Sequence, residues 1–189
     1  MVVSLPWGKL TVLPDRVSVE ALTVPYIRCA DLLLKLLREA SPNARVTKLG
    51  INMTSHYRFQ SMAARDKFAM RIAPPGAWGN FGATVEKSFH ETEDRHGGLM
   101  KLTMRQARPT DRSSGWIDAT IEPSGLFHKD QGVAIMINDH YEMSDEDLQA
   151  MRRSERAASD ELLTLLERNF EKSVERSFNI CDDVFGDVS

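Results

Sequence analysis

The stretch RVTKLGINMTSHYRF, residues 45–59, alternates apolar and polar side chains over an unusually long span. Leu49, Ile51, Met53, Tyr57 and Phe59 share one parity, and Asn52, Thr54, His56 and Arg58 share the other. A period of two sends successive side chains to opposite faces of a strand, so this segment is predicted to be a long, half-buried strand. The same alternation returns after Gly97-Gly98 in LMKLTMRQA, GWIDATIE and GVAIMIND, which predicts three further strands joined by polar loops.

LTVLPDRVSVE reads as a hairpin turning at Pro14-Asp15. With that turn Val12 faces Val17, Leu10 faces Val19 and Thr11 faces Ser18, so one register yields an apolar face and a polar one. Thr23 is expected to cap a helix that begins near Pro25, runs through YIRCADLLLKLLREA and stops at Ser41-Pro42-Asn43. Its leucines almost encircle it, so it is expected to be mostly buried. Ser61 is expected to cap a short helix carrying Ala64, Phe68 and Ile72 and ending before Pro74-Pro75-Gly76. PPGAWGNFGAT reads as a loop, and VEKSFHETEDRHGG as charged and poorly patterned. From Ser144 a long helical stretch carries Leu163, Leu166, Phe170, Val174, Phe178, Cys181 and Phe185 at steps of three and four, with a break expected near Ala157. The resulting expectation is an α+β protein: a mostly antiparallel sheet with helices packed on one face and a long C-terminal helix, forming one domain over residues 1–189.

Composition narrows the function classes. At 189 residues, with 42% hydrophobic and 27% charged residues and a net charge of -3, the chain is neither disordered nor strongly attracted to polyanions. The 2 cysteines, Cys29 and Cys181, form neither a zinc knuckle nor a redox CxxC pair, which fits a reduced cytoplasmic protein. MVVSLPWGKL has no basic segment followed by an apolar core, and no apolar run reaches the roughly 18 residues of a membrane span. The expected protein is soluble and unexported.

Several clusters are candidates for function. Arg45, Lys48, Arg58, Lys101 and Arg105 would neutralise phosphates if they shared a sheet face, with Trp116 and His56 available for stacking on a nucleic acid. The competing reading is specific: if LMKLTMRQA and GWIDATIE pair, Lys101 falls opposite Glu122, Thr103 opposite Thr120 and Arg105 opposite Asp118, while Leu102 and Met104 meet Ile121 and Ala119 on the other face. His90 and His96 flank Glu91, Glu93 and Asp94, yet the spacing fits no metal-binding template, and no metal or cofactor is expected. No nucleophile elbow or phosphate-binding glycine loop occurs. His56 and His140, on polar strand faces, would serve a small hydrolase if they met in space.

In IMINDHYEMSDED, Ile135 and Ile137 continue a buried parity and Ser144 with its acidic followers starts a helix, which leaves His140 and Tyr141 without a purely structural role. Trp78 and Phe81, large aromatics among glycines and prolines, either fold back onto the core or anchor in a partner.

LTVLPDRVSVEA, VPYIRCADLLLKLL and VTKLGIN, followed by INDHYEM and a long helix, resemble a family of uncharacterised small α+β bacterial proteins over residues 10–60 and 133–170. The resemblance implies a fold and transfers no catalytic or binding residue. The leading expectation is a non-enzymatic protein acting through protein-protein interaction, as an oligomer or a subunit of a complex, with Trp78, Phe81, Phe170 and Phe178 at the interface. Nucleic-acid binding through the basic residues is the second expectation, and hydrolysis through His56 or His140, with or without a metal, the third.

Overall fold

The Pro14-Asp15 turn folds as its flanking side chains require. In the computed structural model β1 (Val2–Leu5), β2 (Gly8–Leu13) and β3 (Arg16–Ala21) form a three-stranded antiparallel sheet in that order. Leu10 pairs with Val19, Thr11 with Ser18 and Val12 with Val17, the register expected from the apolar pattern. Strand β1 was not expected, because four residues carry too little alternation to announce a strand. It forms because Pro6-Trp7 turns the chain back so that Leu5 meets Gly8 and Val3 meets Leu10. The structure describes residues 1–91, 98–107, 114–127, 131–144, 146, 148–149 and 159–186.

Helix α1 (Ile27–Lys35) starts later than expected. Its N-cap is Tyr26, with no side-chain capping bond, and the carbonyls of Pro25 and Tyr26 accept from the amides of Arg28 and Cys29 at 3.4 and 3.0 Å. Thr23 therefore lies ahead of the helix and has no first turn to cap. The helix runs into a π-turn over Leu36–Ala40, closed by the Ser41 amide on the Leu36 carbonyl at 3.1 Å. Only Ala30 and Leu34 are buried in α1, so the helix is amphipathic rather than mostly buried. The remaining leucines spread round the cylinder, and one packed face cannot cover them all.

The long alternating segment is β4 (Lys48–Arg58), with Leu49 and Ile51 buried and Lys48, Gly50 and Asn52 exposed. It belongs to a four-stranded sheet with β5 (Leu102–Ala107), β6 (Ser114–Pro123) and β7 (Gly132–Glu142), in the order β4-β7-β6-β5. Leu102 pairs with Ile121, Met104 with Ala119 and Arg105 with Asp118, again the expected register. Met104 was expected on the core face but is 69% exposed. Its strand is the last of the sheet, and among the described residues no further strand pairs with it.

Helix α2 (Met62–Ile72) begins where Ser61 Oγ accepts from the Ala64 amide at 3.2 Å. The segment expected as a loop is helical instead: a 3-10 turn over Pro75–Trp78 leads into α3 (Gly79–Glu91). Gly79 takes φ +56°, which glycine tolerates, and lets the chain leave one helix and enter the next. The last helix, α4 (Ser159–Phe185), begins where the serine and acidic residues signal a start, and the break expected near Ala157 lies outside the described residues. With two antiparallel sheets and these helices the protein is α+β.

The chain divides into two compact units, one from Met1–Ile51, Arg108–Gly115 and His140–Arg176, the other from Asn52–Ala107, Trp116–Asp139 and Ser177–Ser189. Each has its own core. In the first, Ala30 and Leu34 pack with Leu49, Ile51, Tyr141, Leu163, Leu166 and Phe170. In the second, Phe59, Phe68, Ile117, Ile121, Val133, Ile135, Ile137 and Cys181 pack together. There Phe185 lies 4.9 Å from the Phe68 ring in a stacked arrangement and 4.2 Å from the Tyr57 ring, while Arg71 donates to the Val184 carbonyl. These ring contacts fix the end of α4 to the second core.

Candidate protein interface

Glycine places the aromatic segment. A Cβ on Gly82 would lie 1.9 Å from the Pro75 carbonyl oxygen, so only a residue without a side chain lets α3 approach the preceding 3-10 turn this closely. The chain reversal at Gly79 then sets Trp78 and Phe81 side by side, with ring centres 6.3 Å apart and planes tilted by 55°. They are 64% and 66% exposed, and Met100 nearby is 63% exposed. Beside them a hollow of about 250 Å³ opens, lined by Ala69 and Ala73 of α2 and the residue after it, by Trp78, Phe81 and Met100, and by Lys101 as its charged member. The two alanines make the space: larger side chains there would fill it.

The other expected interface residues divide. Phe178 is 43% exposed on α4, whereas Phe170 is 8% exposed within the core of the first unit. Phe170 is therefore a core residue and not a contact for a partner. The reason lies in the buried stripe of α4, which runs through Leu163, Leu166, Phe170, Ser173, Ser177 and Cys181. It passes through serine at 173 and 177, which leaves Val174 half-buried and Phe178 outside.

The basic residues are divided between the two units. Arg45 and Lys48 belong to the first unit, Arg58, Lys101 and Arg105 to the second. Arg105 donates twice to Asp118, from Nε at 2.7 Å and from an Nη at 2.8 Å, and its guanidinium lies 4.3 Å from the centre of the Trp116 ring. The Trp116 indole N–H donates to the same carboxylate at 3.1 Å. Hydrogen bonding to Asp118 pushes the Arg105 guanidinium further up from its ordinary pKa. Lys101 lies 3.6 Å from Glu122, the hydroxyls of Thr103 and Thr120 are 2.9 Å apart, and Lys48 is 3.9 Å from Glu142. Arg58 donates to the Gln131 side chain at 3.2 Å, and Arg45 is exposed.

The polar candidates have different neighbours. His56 Nδ1 is 2.8 Å from Ser124 Oγ, which matches a base beside a nucleophile in distance only. Ser124 is 2% exposed, and its oxygen accepts from the Leu126 amide at 3.1 Å, so this contact ties down the loop after β6 and offers no open nucleophile. His140 belongs to the other unit, where Nε2 lies 3.6 Å from Glu142. Tyr141, expected at a polar site, is 2% exposed and belongs to the first hydrophobic core, because β7 alternates and its odd positions face inward. Asp139 shares that parity and is 1% exposed, a placement that a polar residue in a polar-looking cluster did not announce.

Among the described residues no group of three or more histidine, cysteine, aspartate or glutamate side chains could hold a metal ion, and Glu93, Asp94 and His96 lie outside them. No helix among the described residues is long and apolar enough to cross a membrane. No family model matches the chain, and neither a curated protein nor a solved structure does, so the assignment of residue roles rests on this geometry alone.

Proposed function

We propose that the protein acts by binding another protein, which seats a short apolar segment over Trp78, Phe81 and Met100. The observation that carries this reading is the pair of neighbouring aromatic rings, each about two-thirds exposed, beside an apolar hollow. Exposed aromatics over a cavity are the usual form of an anchoring site in a protein interface. Small-molecule pockets run from about 300 to 1,000 Å³ and enclose their ligand. A hollow of about 250 Å³ under exposed rings suits one or two anchoring side chains better. Free thiols at Cys29 and Cys181 support action in a reducing compartment such as the cytosol.

The nucleic-acid reading has less support, since binding a polyanion requires cations free to neutralise phosphates. Lys48, Lys101 and Arg105 already face carboxylates.

The test compares tagged wild-type protein with the double variant Trp78→Ala/Phe81→Ala as bait in an extract of the cells that express it. The expected result is a stoichiometric protein held by the wild type and lost by the variant, with the two baits melting at similar temperatures. Equal capture by both baits, or a captured nucleic acid released steeply by salt, would sink the reading.

A further inference from the structure

We infer that Met100 is a redox switch on the hollow beside Trp78: an oxidant of the peroxide class converts its thioether to a sulfoxide, which weakens the hold of the hollow on apolar ligands until the sulfoxide is reduced. The inference rests on the reading of that hollow as a binding site and assigns its regulation.

The placement of the sulfur atoms decides where an oxidant arrives first. The chain has 9 methionines and 2 cysteines. Cys181 is 0% exposed. Cys29 is half-buried, and burial pushes its thiol up from the ordinary value, which keeps it in the less reactive protonated form. Among the described residues the exposed methionines are Met1, Met100 and Met104. Of these three only Met100 lines the hollow, where Trp78 and Phe81 also stand. Met70, the other methionine of the lining, is half-buried. An accessible sulfur and an apolar hollow therefore coincide at a single residue.

The oxidation needs no other group of the protein. The sulfur lone pair attacks one peroxide oxygen, the O–O bond breaks as the S–O bond forms, and the other oxygen leaves as water after proton transfer. Sulfur gives up two electrons and the peroxide takes them. The product carries a polar S–O group in place of a polarisable apolar sulfur. Before oxidation the side chain adds apolar surface to that of Trp78, Phe81, Ala69 and Ala73. Afterwards a ligand that covers it must strip water from the new oxygen. Leucine has a similar volume and would line the hollow without being open to oxidation, so the switch depends on methionine at this position.

The probe is anilinonaphthalene sulfonate, an apolar dye that fluoresces when it leaves water, titrated into the full chain before and after mild treatment with hydrogen peroxide. Peptide masses report the oxygen gained at each methionine. The signal of the hollow is the part that Trp78→Ala/Phe81→Ala removes. In the wild type, oxidation is expected to weaken that part about tenfold, the scale set by covering one unpaired polar group. Met100→Leu is expected to bind the dye as the wild type does and to keep it after the same treatment. Met104→Leu is expected to lose it as the wild type does, although Met104 is the more exposed of the two, at 69% against 63%. A methionine sulfoxide reductase is expected to restore the wild-type signal.

A hollow signal that survives while the masses show Met100 oxidised would overturn the inference and leave the groove reading standing. So would an equal loss in oxidised Met100→Leu, which moves the effect to another residue, or a Met100 that stays unmodified while Met104 gains oxygen. A dye signal indifferent to Trp78→Ala/Phe81→Ala would sink both readings.

Discussion

Tyr57 shows how one side chain is tuned by its surroundings. Burial and the neighbouring Cys181 thiol push its hydroxyl up to about 12, against 10.0 ordinarily. The neutral phenol is thereby favoured in the folded protein. Its contribution to stability is whole below pH 10 and is lost as pH rises through about 12, since between the two values the folded chain holds a proton that the unfolded chain has released. Ultraviolet titration should show a tyrosine step displaced to high pH, and Tyr57→Phe should remove that step. Gly82 is a second case. Alanine would gain up to about 1 kcal/mol of helix propensity there, but its Cβ would sit 1.9 Å from a backbone oxygen that has no rotamer to escape into. The clash should win, and Gly82→Ala should lose about 1–3 kcal/mol in urea unfolding while weakening capture of the groove partner.

Single elements obey mostly local signals. Helix α2 has a serine whose hydroxyl meets the Ala64 amide, so Ser61→Ala should cost about 1 kcal/mol, read as a lowered urea midpoint with the groove still functional. The β5-β6 pair is a ladder in which Lys101, Thr103 and Arg105 each meet a complementary side chain across the strands. Its register was legible because a slip by one residue would break the ion pairs and expose Ile121 at once. Helix α3 is the contrary case. Prolines and glycines read as loop when judged one at a time, yet Gly79 and Gly82 are there to admit a tight approach between two helical turns. Local propensity cannot announce a contact whose other half is the Pro75 carbonyl.

At the scale of the whole molecule the two cores are distinct sets of residues, and each should be sensitive to truncation. Leu163→Ala in the first and Ile135→Ala in the second remove side chains that are 4% and 0% exposed, and each should cost about 2–5 kcal/mol in equilibrium unfolding. By contrast Trp78→Ala/Phe81→Ala removes exposed rings, and should change binding far more than stability.

The sequence by itself determined strands β2 to β7, the pairing in the hairpin and in β5-β6, the cap of α2 and the first half of the stripe of α4, because period, charge and capping act over a few residues. Tertiary structure alone decided which members of those patterns are buried, paired or exposed. It buried Phe170 and Tyr141 in a core, locked Arg105 to Asp118 and Trp116, gave His56 and His140 different neighbours, and left Trp78 and Phe81 in solvent. Exposure is the difference between these outcomes, and it depends on what the rest of the chain brings to each side chain.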